Sequence, residues 1–540
     1  MGQNPDPAPE LAAGITPGLT RRSLLLTALA SGVSVSMAGA SPLVPFGREF
    51  EPSEGVPPSD REDVPPIGPE QQNRQPDTLV LLQQQASLSQ ELARWVADLR
   101  YEDLPAAVVD RAKGVSLHAL ASVLLGSESR GGQQAVDLIT DEEAGVRNGA
   151  TIMVHGTRVT RAGAAFANAA MVNGGGKWDT FRMLTHAGTS IIPCALVAAE
   201  TSGASGRDYL TGIAAGYEVM NRLSADYVPT VMARGFHPGV LFGIFGPAVA
   251  AAKILGYTED QVHGTISLCV ALAISGRGIR EQASARNAML AVALAGRGAG
   301  GGGDPRILEA DGGFYWAYAG NNEGQLTHSF VGETQTSLDK ITANLGEDWL
   351  FLETLYRIYS TAGYNIAHVD VTAQLCEEND IRYEDVDRVE AVVNWLETQY
   401  PSPAFPARRE DLDVEPRPGS TRYYTAYGVV QRGFPLLGLR GEPDPPEVLD
   451  LMRRVRIIPS TLMPLFAPRI TIFTKDGRSY TKQATGREFI WDFEEEARRI
   501  RGVVDGIPIP AAQFEEMIST CRDLDRQARA DRLVQLTLRG

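Results

Sequence analysis

One stretch of the chain concentrates side chains that can do chemistry: Asn173-Gly-Gly-Gly-Lys177-Trp178-Asp179-Thr180-Phe-Arg182-Met-Leu-Thr185-His186. A glycine-rich break carries an amine, a carboxylate, hydroxyls, a guanidinium and an imidazole. It runs into Ile191-Ile192-Pro193-Cys194, which reads as a helix start with proline in the first turn. A second polar knot is Arg234-Gly-Phe236-His237-Pro238-Gly239, and a third is Arg277-Gly-Ile-Arg280-Glu281. Each stands before an apolar helical pattern. Cations and histidine near helix N-termini suit an anionic ligand. Taken singly, a knot also reads as a surface loop with a capping Thr or Asp and a structural histidine. Three knots opening helices of one region point to convergence.

Other constellations carry less. Gly296-Arg-Gly298-Ala-Gly300-Gly301 fits G-x-G-x-x-G but follows an alanine-rich helical pattern, not a strand, and reads as a glycine turn. The chain has no phosphate-loop lysine motif, no H-E-x-x-H, no C-x-x-C and no G-x-S-x-G, so no metal site is expected. Cys194, Cys269 and Cys376 sit in apolar contexts and read as core residues.

The elements that must position the knots follow from periodicity. At 540 residues, the chain exceeds the roughly 100–200 residues of one domain. With 43% hydrophobic and 21% charged residues, it has material for a sizeable core. A net charge of −16 argues against wrapping nucleic acid. From residue 86 to 325 the pattern is helical. Leu92, Trp95, Val96 and Leu99 recur at helical spacing. Further helices are expected at Ala106–Leu125, Ala162–Val172, Ile191–Glu200, Tyr209–Leu223, Leu241–Leu255, Thr258–Ala273 and Ala285–Ala295, with no strand among them. From 326 to 500, strands are expected at Val386–Trp395, Arg453–Pro459, Arg469–Thr474 and Ser479–Ala484. Lys475-Asp-Gly477-Arg478 forms the last hairpin turn, and helices lie at Leu338–Leu345, His368–Glu378 and Arg422–Arg432. Residues 501–540 return to helix, Ala511–Arg529.

The first 85 residues read differently. Thr20-Arg21-Arg22-Ser23 precedes the apolar run Leu24–Ala38, and Ala38-Gly39-Ala40 offers a cleavage site. Residues 1–40 therefore resemble a twin-arginine (Tat) signal, implying the export machinery as a transient partner and a periplasmic or extracellular destination. The run is shorter than the roughly 20 residues that span a bilayer, which disfavours a permanent anchor. Residues 41–85 are acidic and proline-rich and read as a disordered linker.

Several stretches, in order and spacing, resemble the MmgE/PrpD family. They are Leu92–Lys113 with Leu104-Pro105; Ala165–Gly174 with Asn173; Ala198-Ala-Glu200, Ser205-Gly206, Ala215-Gly-Tyr217-Glu-Val219 and Arg222; Gly235-Phe-His-Pro238; Leu308-Glu309 with Gly312-Gly-Phe314; and Ala467-Pro468 with Lys475–Arg478. The family includes 2-methylcitrate dehydratase, cis-aconitate decarboxylase and iminodisuccinate epimerase. The resemblance implies a mostly α protein: a large all-α domain with a smaller inserted α/β domain. It also implies a homodimer, no organic cofactor, and a small polycarboxylate substrate held in a cleft between the domains.

Carried over residue by residue, the family's first active-site motif places Asp179, Thr180 and His186. Trp178 and Gly176 stand where the family keeps other aspartates. The lysine before the F-H-P loop is Ala233 here, beside Arg234, and the second active-site lysine falls near Arg277, with Arg280 nearly as good a match. The Lys-x-Tyr-Pro-x-Cys segment becomes Arg357-Ile-Tyr359-Ser-Thr-Ala362. The chain has only six lysines, and Lys177 is the one beside the site. Arginine holds carboxylates bidentately but does not transfer protons near neutral pH. The reading is therefore an exported hydro-lyase of the 2-methylcitrate dehydratase type. His186 would be the general acid/base, helped by Asp179, Thr180 and Lys177. Arg234, His237, Arg277, Arg280 and Arg357 would hold the substrate. The alternatives are a decarboxylase or epimerase on the same scaffold, and a non-catalytic exported protein that binds an acidic ligand.

Overall fold

The structure is a computed structural model. It describes residues 86–540 apart from 277–279, 303, 360, 400–414 and 434–442. The twin-arginine segment, the proline-rich stretch and Arg277 lie outside the described residues. The described chain is mostly helical, with small sheets.

Its helices begin where the sequence supplies caps. Helix α1 (Leu88–Asp98) opens on a Ser87/Gln90 capping box and α5 (Gly206–Ser224) on a Ser205/Asp208 box. Between them lie α2 (Ala106–Gly126), α3 (Arg161–Gly175) and α4 (Gly188–Ser202). Then come α6 (Phe245–Ile254), α7 (Glu259–Leu272) and α8 (Glu281–Ala295). Small residues let the helices approach closely: a Cβ on Gly216 of α5 would lie 2.5 Å from the Gly246 carbonyl of α6. These helices, with Phe493, Ala497, Met517 and Leu533 from the C-terminal segment, share one apolar core.

A second core surrounds a four-stranded sheet. The strands β5 (Val386–Asn394), β6 (Val455–Ser460), β7 (Arg469–Thr474) and β8 (Ser479–Gln483) lie in the order β6-β5-β7-β8. Strand β5 pairs parallel with β6, Val389 to Val455, and antiparallel with β7, Val389 to Ile472. The parallel pair needs a crossover, which contains helix Thr421–Gln431. Ile470 and Ile472 of β7 point inward and are fully buried, and Gly477, at φ +84°, turns the β7–β8 hairpin. Helix α9 (Gly363–Glu378) joins this core. Tyr359 and Trp491 pack partly against both cores.

Several expected elements differ. The helical half contains short strands: β1 (Ala150–Thr151), β2 (Arg158–Val159) and β3 (Trp178–Thr180). Strand β3 pairs antiparallel with β4 (Leu355–Arg357). Helix α4 starts at Gly188, so Pro193 sits inside it rather than in its first turn. The expected helix Leu241–Leu255 is broken by a 3-10 turn at Phe242–Ile244; there Ser190 donates to the Gly243 carbonyl and Ser284 to that of Val240. Leu338–Leu345 is only a 3-10 turn over Leu338–Ile341, because Arg222 takes the carbonyls of Ile341 and Ala343. The last long helix stops at Arg522, beyond which the Gln527 carbonyl accepts from Gly206 N–H and Ala530 N–H donates to Ala204.

Candidate functional site

Strand β3 and the start of α4 build the site. Asp179, in the middle of β3, is buried. Its Oδ1 and Oδ2 accept the Gly188 N–H at 2.9 and 3.1 Å, and Oδ2 also accepts the Tyr217 hydroxyl. An acidic acceptor at a helix N-terminus satisfies an otherwise orphan N–H, and α4 has no side-chain cap of its own. Gly188 is required here: a Cβ would lie 2.5 Å from the Tyr217 oxygen. Burial pushes the Asp179 carboxyl up, and the donors from Tyr217 and Gly188 oppose that shift.

Between β3 and α4 the chain makes a tight loop, closed by a Phe181–Thr185 bridge. Arg182 and Leu184 adopt positive φ, +51° and +64°. Non-glycine residues held there cost about 1–3 kcal/mol each. Arg182 stacks over Phe181 at 4.6 Å and pairs with Glu353 at 2.6 Å, which holds the loop in shape. The loop returns His186 over β3. Its Nδ1 lies 3.1 Å from both the Asp179 carbonyl and the Thr180 hydroxyl. A carbonyl only accepts, so Nδ1 carries the proton and Nε2 presents a lone pair. Burial, then the Arg357 charge, hold the imidazole well below its ordinary pKa. Both favour the neutral imidazole.

Cations surround this base. Trp178, its indole N–H bonded to the carbonyls of Val172 and Asn173, is their platform. The His186 ring lies 4.7 Å from it, the Arg357 guanidinium 4.2 Å and the Arg280 guanidinium 5.9 Å. Arg357 reaches Trp178 because β4 pairs residue for residue with β3. Lys177 is buried, and burial and then Arg357 lower its pKa to about 8. His237 caps the short helix Pro238–Leu241, its Nδ1 accepting Val240 N–H at 3.3 Å, and its charge would further disfavour protonation of His186.

The structure thus brings together Lys177, Asp179, Thr180, His186, Arg280 and Arg357, with His237 adjacent. Arg234 is not among them: it is exposed, and its guanidinium bonds the Ala317 carbonyl at 3.4 Å. Tyr217, Asn173 and Glu281, each from one of the motifs that resemble the family or open its helices, also bear on the site. Asn173 Nδ2 donates to Glu281 Oε2 at 3.0 Å. A cavity of about 300 Å³ lined by Arg182, Arg222, Asp226 and Lys340 is a poorer candidate. Its Arg222 is committed to Glu218 and to backbone carbonyls.

Fold and site define a mostly helical protein with a neutral histidine set among cations. Residues 90–327 match the MmgE/PrpD N-terminal domain, and this match supports a place for that part of the chain in the MmgE/PrpD family. It is similar to the cis-aconitate decarboxylase-like protein oryM of Aspergillus oryzae, 25% identical over 300 residues, covering 52% of this chain and 59% of that protein. It is similar also to a cis-aconitate decarboxylase of Aspergillus terreus, 22% identical over 191 residues, covering 34% of this chain and 38% of that protein. The matches therefore span roughly half the length of these relatives or less.

Proposed function

We propose that the protein is a lyase acting on a small polycarboxylate, of the hydro-lyase type, with His186 Nε2 as the base. One observation carries this: Nδ1 of His186 is fixed as a donor to the Asp179 carbonyl, so Nε2 is left as a lone pair among buried cations. Arg357, Arg280 and Lys177 would hold carboxylates and stabilise the charge that develops when a neighbouring C–H is deprotonated. Thr180 and Asp179 position the imidazole. The names of the relatives favour a second reading, decarboxylation in the same site.

The test is a panel of citrate, 2-methylcitrate, cis-aconitate and malate offered to the purified protein, followed by proton NMR. Water loss or addition supports the hydro-lyase, and carbon dioxide release supports the second reading. Inversion alone would make the protein an epimerase. A ligand that raises the melting temperature with no chemistry would make it a binding protein.

We further propose that the protein is exported and dimeric. Arg21→Lys with Arg22→Lys should retain the protein inside the cell, and light scattering should give twice the chain mass.

A further inference from the structure

With arginine at or near the positions where the family resemblance implies lysines, the proton carriers of the site besides His186 are Lys177, His237 and Glu281. We propose that Glu281 is the acid of this site, delivering a proton to the leaving group while His186 withdraws one from carbon. The inference rests on the lyase reading.

Glu281 opens α8 and is 1% exposed. Its Oε2 accepts the Asn173 amide, while Oε1 has no hydrogen-bond partner among the described residues. A buried polar atom without a partner is costly and asks for a reason. Glycine at 239 allows Oε1 into the junction of the site's loops. A Cβ there would lie 2.9 Å from Oε1 and 3.4 Å from His237 Cε1, and would collide with the Leu184 carbonyl. Oε1 therefore sits where the His186 loop, the His237 turn and the start of α8 meet.

Its surroundings support a proton on it. Burial is the largest influence and raises its pKa; Arg280, Asn173 and Arg357 act the other way. The groups facing it are Arg280 on its own segment, Asn173 from α3, Arg357 from β4 and His237 before the helix Pro238–Leu241. Of these, the arginines stay charged and the amide does not titrate, so His237, whose Nδ1 accepts the Val240 N–H, is the one other proton carrier beside it. A neutral carboxyl can also stand beside a bound polyanion without repelling it.

The step balances as follows. His186 Nε2 takes the proton from a carbon beside a carboxylate. The C–H electron pair becomes the new C=C bond, and the C–O bond to the hydroxyl breaks. The Glu281 proton joins the departing hydroxyl as water. The residues end as imidazolium and carboxylate, and exchange with solvent resets both.

Two measurements test this on the full chain. In the infrared difference between wild type and Glu281→Gln at neutral pH, the wild type should show a protonated-carboxyl band that shifts in D2O. With the panel above in D2O, Glu281→Gln should lose turnover by about 100-fold or more yet still exchange the carbon-bound proton, whereas His186→Ala should lose both. An ionised Glu281 in the infrared, or a Gln variant that turns over like the wild type, overturns the assignment and leaves the lyase reading standing. A wild type that neither exchanges nor converts any member overturns the lyase reading, and this inference falls with it.

Discussion

Two buried carboxyls stand at helix N-termini in this molecule, and their surroundings differ. At the start of α4, Asp179 has every oxygen committed, to Gly188 and to Tyr217. At the start of α8, Glu281 has one oxygen held by Asn173 and the other without a partner among the described residues. The same residue chemistry at the same kind of place serves two ends. A saturated carboxyl holds a loop and helix in register, whereas an unsaturated one, among cations, keeps capacity for a ligand or a proton. In the proposed mechanism, saturation of hydrogen bonding separates the scaffold side of the site from its working side.

The comparison can be broken by substitution. The largest structural effect is expected at the saturated carboxyl. Asp179→Ala leaves the Gly188 N–H and the Tyr217 hydroxyl buried without an acceptor, at about 1–3 kcal/mol each. Urea unfolding should show a loss of that order, while Glu281→Gln stays close to wild type in stability. Equal losses in both variants would erase the distinction.

A smaller effect is expected at the shared platform. Trp178→Leu removes the ring against which Arg357 and Arg280 lie, worth about 0.5–2 kcal/mol. KM should rise several-fold with kcat less changed, and Trp178→Phe should recover part of the loss. A pure fall in kcat would mean that the ring orients His186 rather than the cations.

The pH dependence is subtler. His186 is held neutral by burial and Arg357, so kcat/KM should not fall as pH drops through 6.5, where a free histidine would protonate. Lys177 has a pKa near 8, so above that pH it sheds the charge that attracts the substrate. A decline in kcat/KM above about pH 8 should result, and Lys177→Arg should remove it. The smallest effect is expected at Arg234, exposed and bonded to the Ala317 carbonyl: Arg234→Ala should leave turnover within about twofold of wild type, as surface substitutions usually do.

How much of this was legible in the sequence depended on range. Helical spacing marked α1 to α8, and alternation marked β5 to β8, because each pattern repeats within one element. The strands β3 and β4 were not legible, since three residues carry no period. Yet their pairing is what sets Arg357 beside Trp178, far apart in the chain. The contact of Thr180 with His186 was legible because their spacing is local. The Asp179–Tyr217 bond joins β3 to the middle of α5, and nothing in Tyr217 itself distinguished it from a core aromatic. Glu281 was in view but sat in a knot read for its arginines. Its meaning comes from Asn173 and Gly239, which only the fold brings to it.

The most direct test of the account is His186→Ala, assayed with the best substrate of the polycarboxylate panel. Turnover should fall by about 100- to 10,000-fold, while that acid still raises the melting temperature of the variant as it does the wild type, because the cations that hold it remain. Turnover surviving near the wild-type level would contradict the central claim that the imidazole is the base.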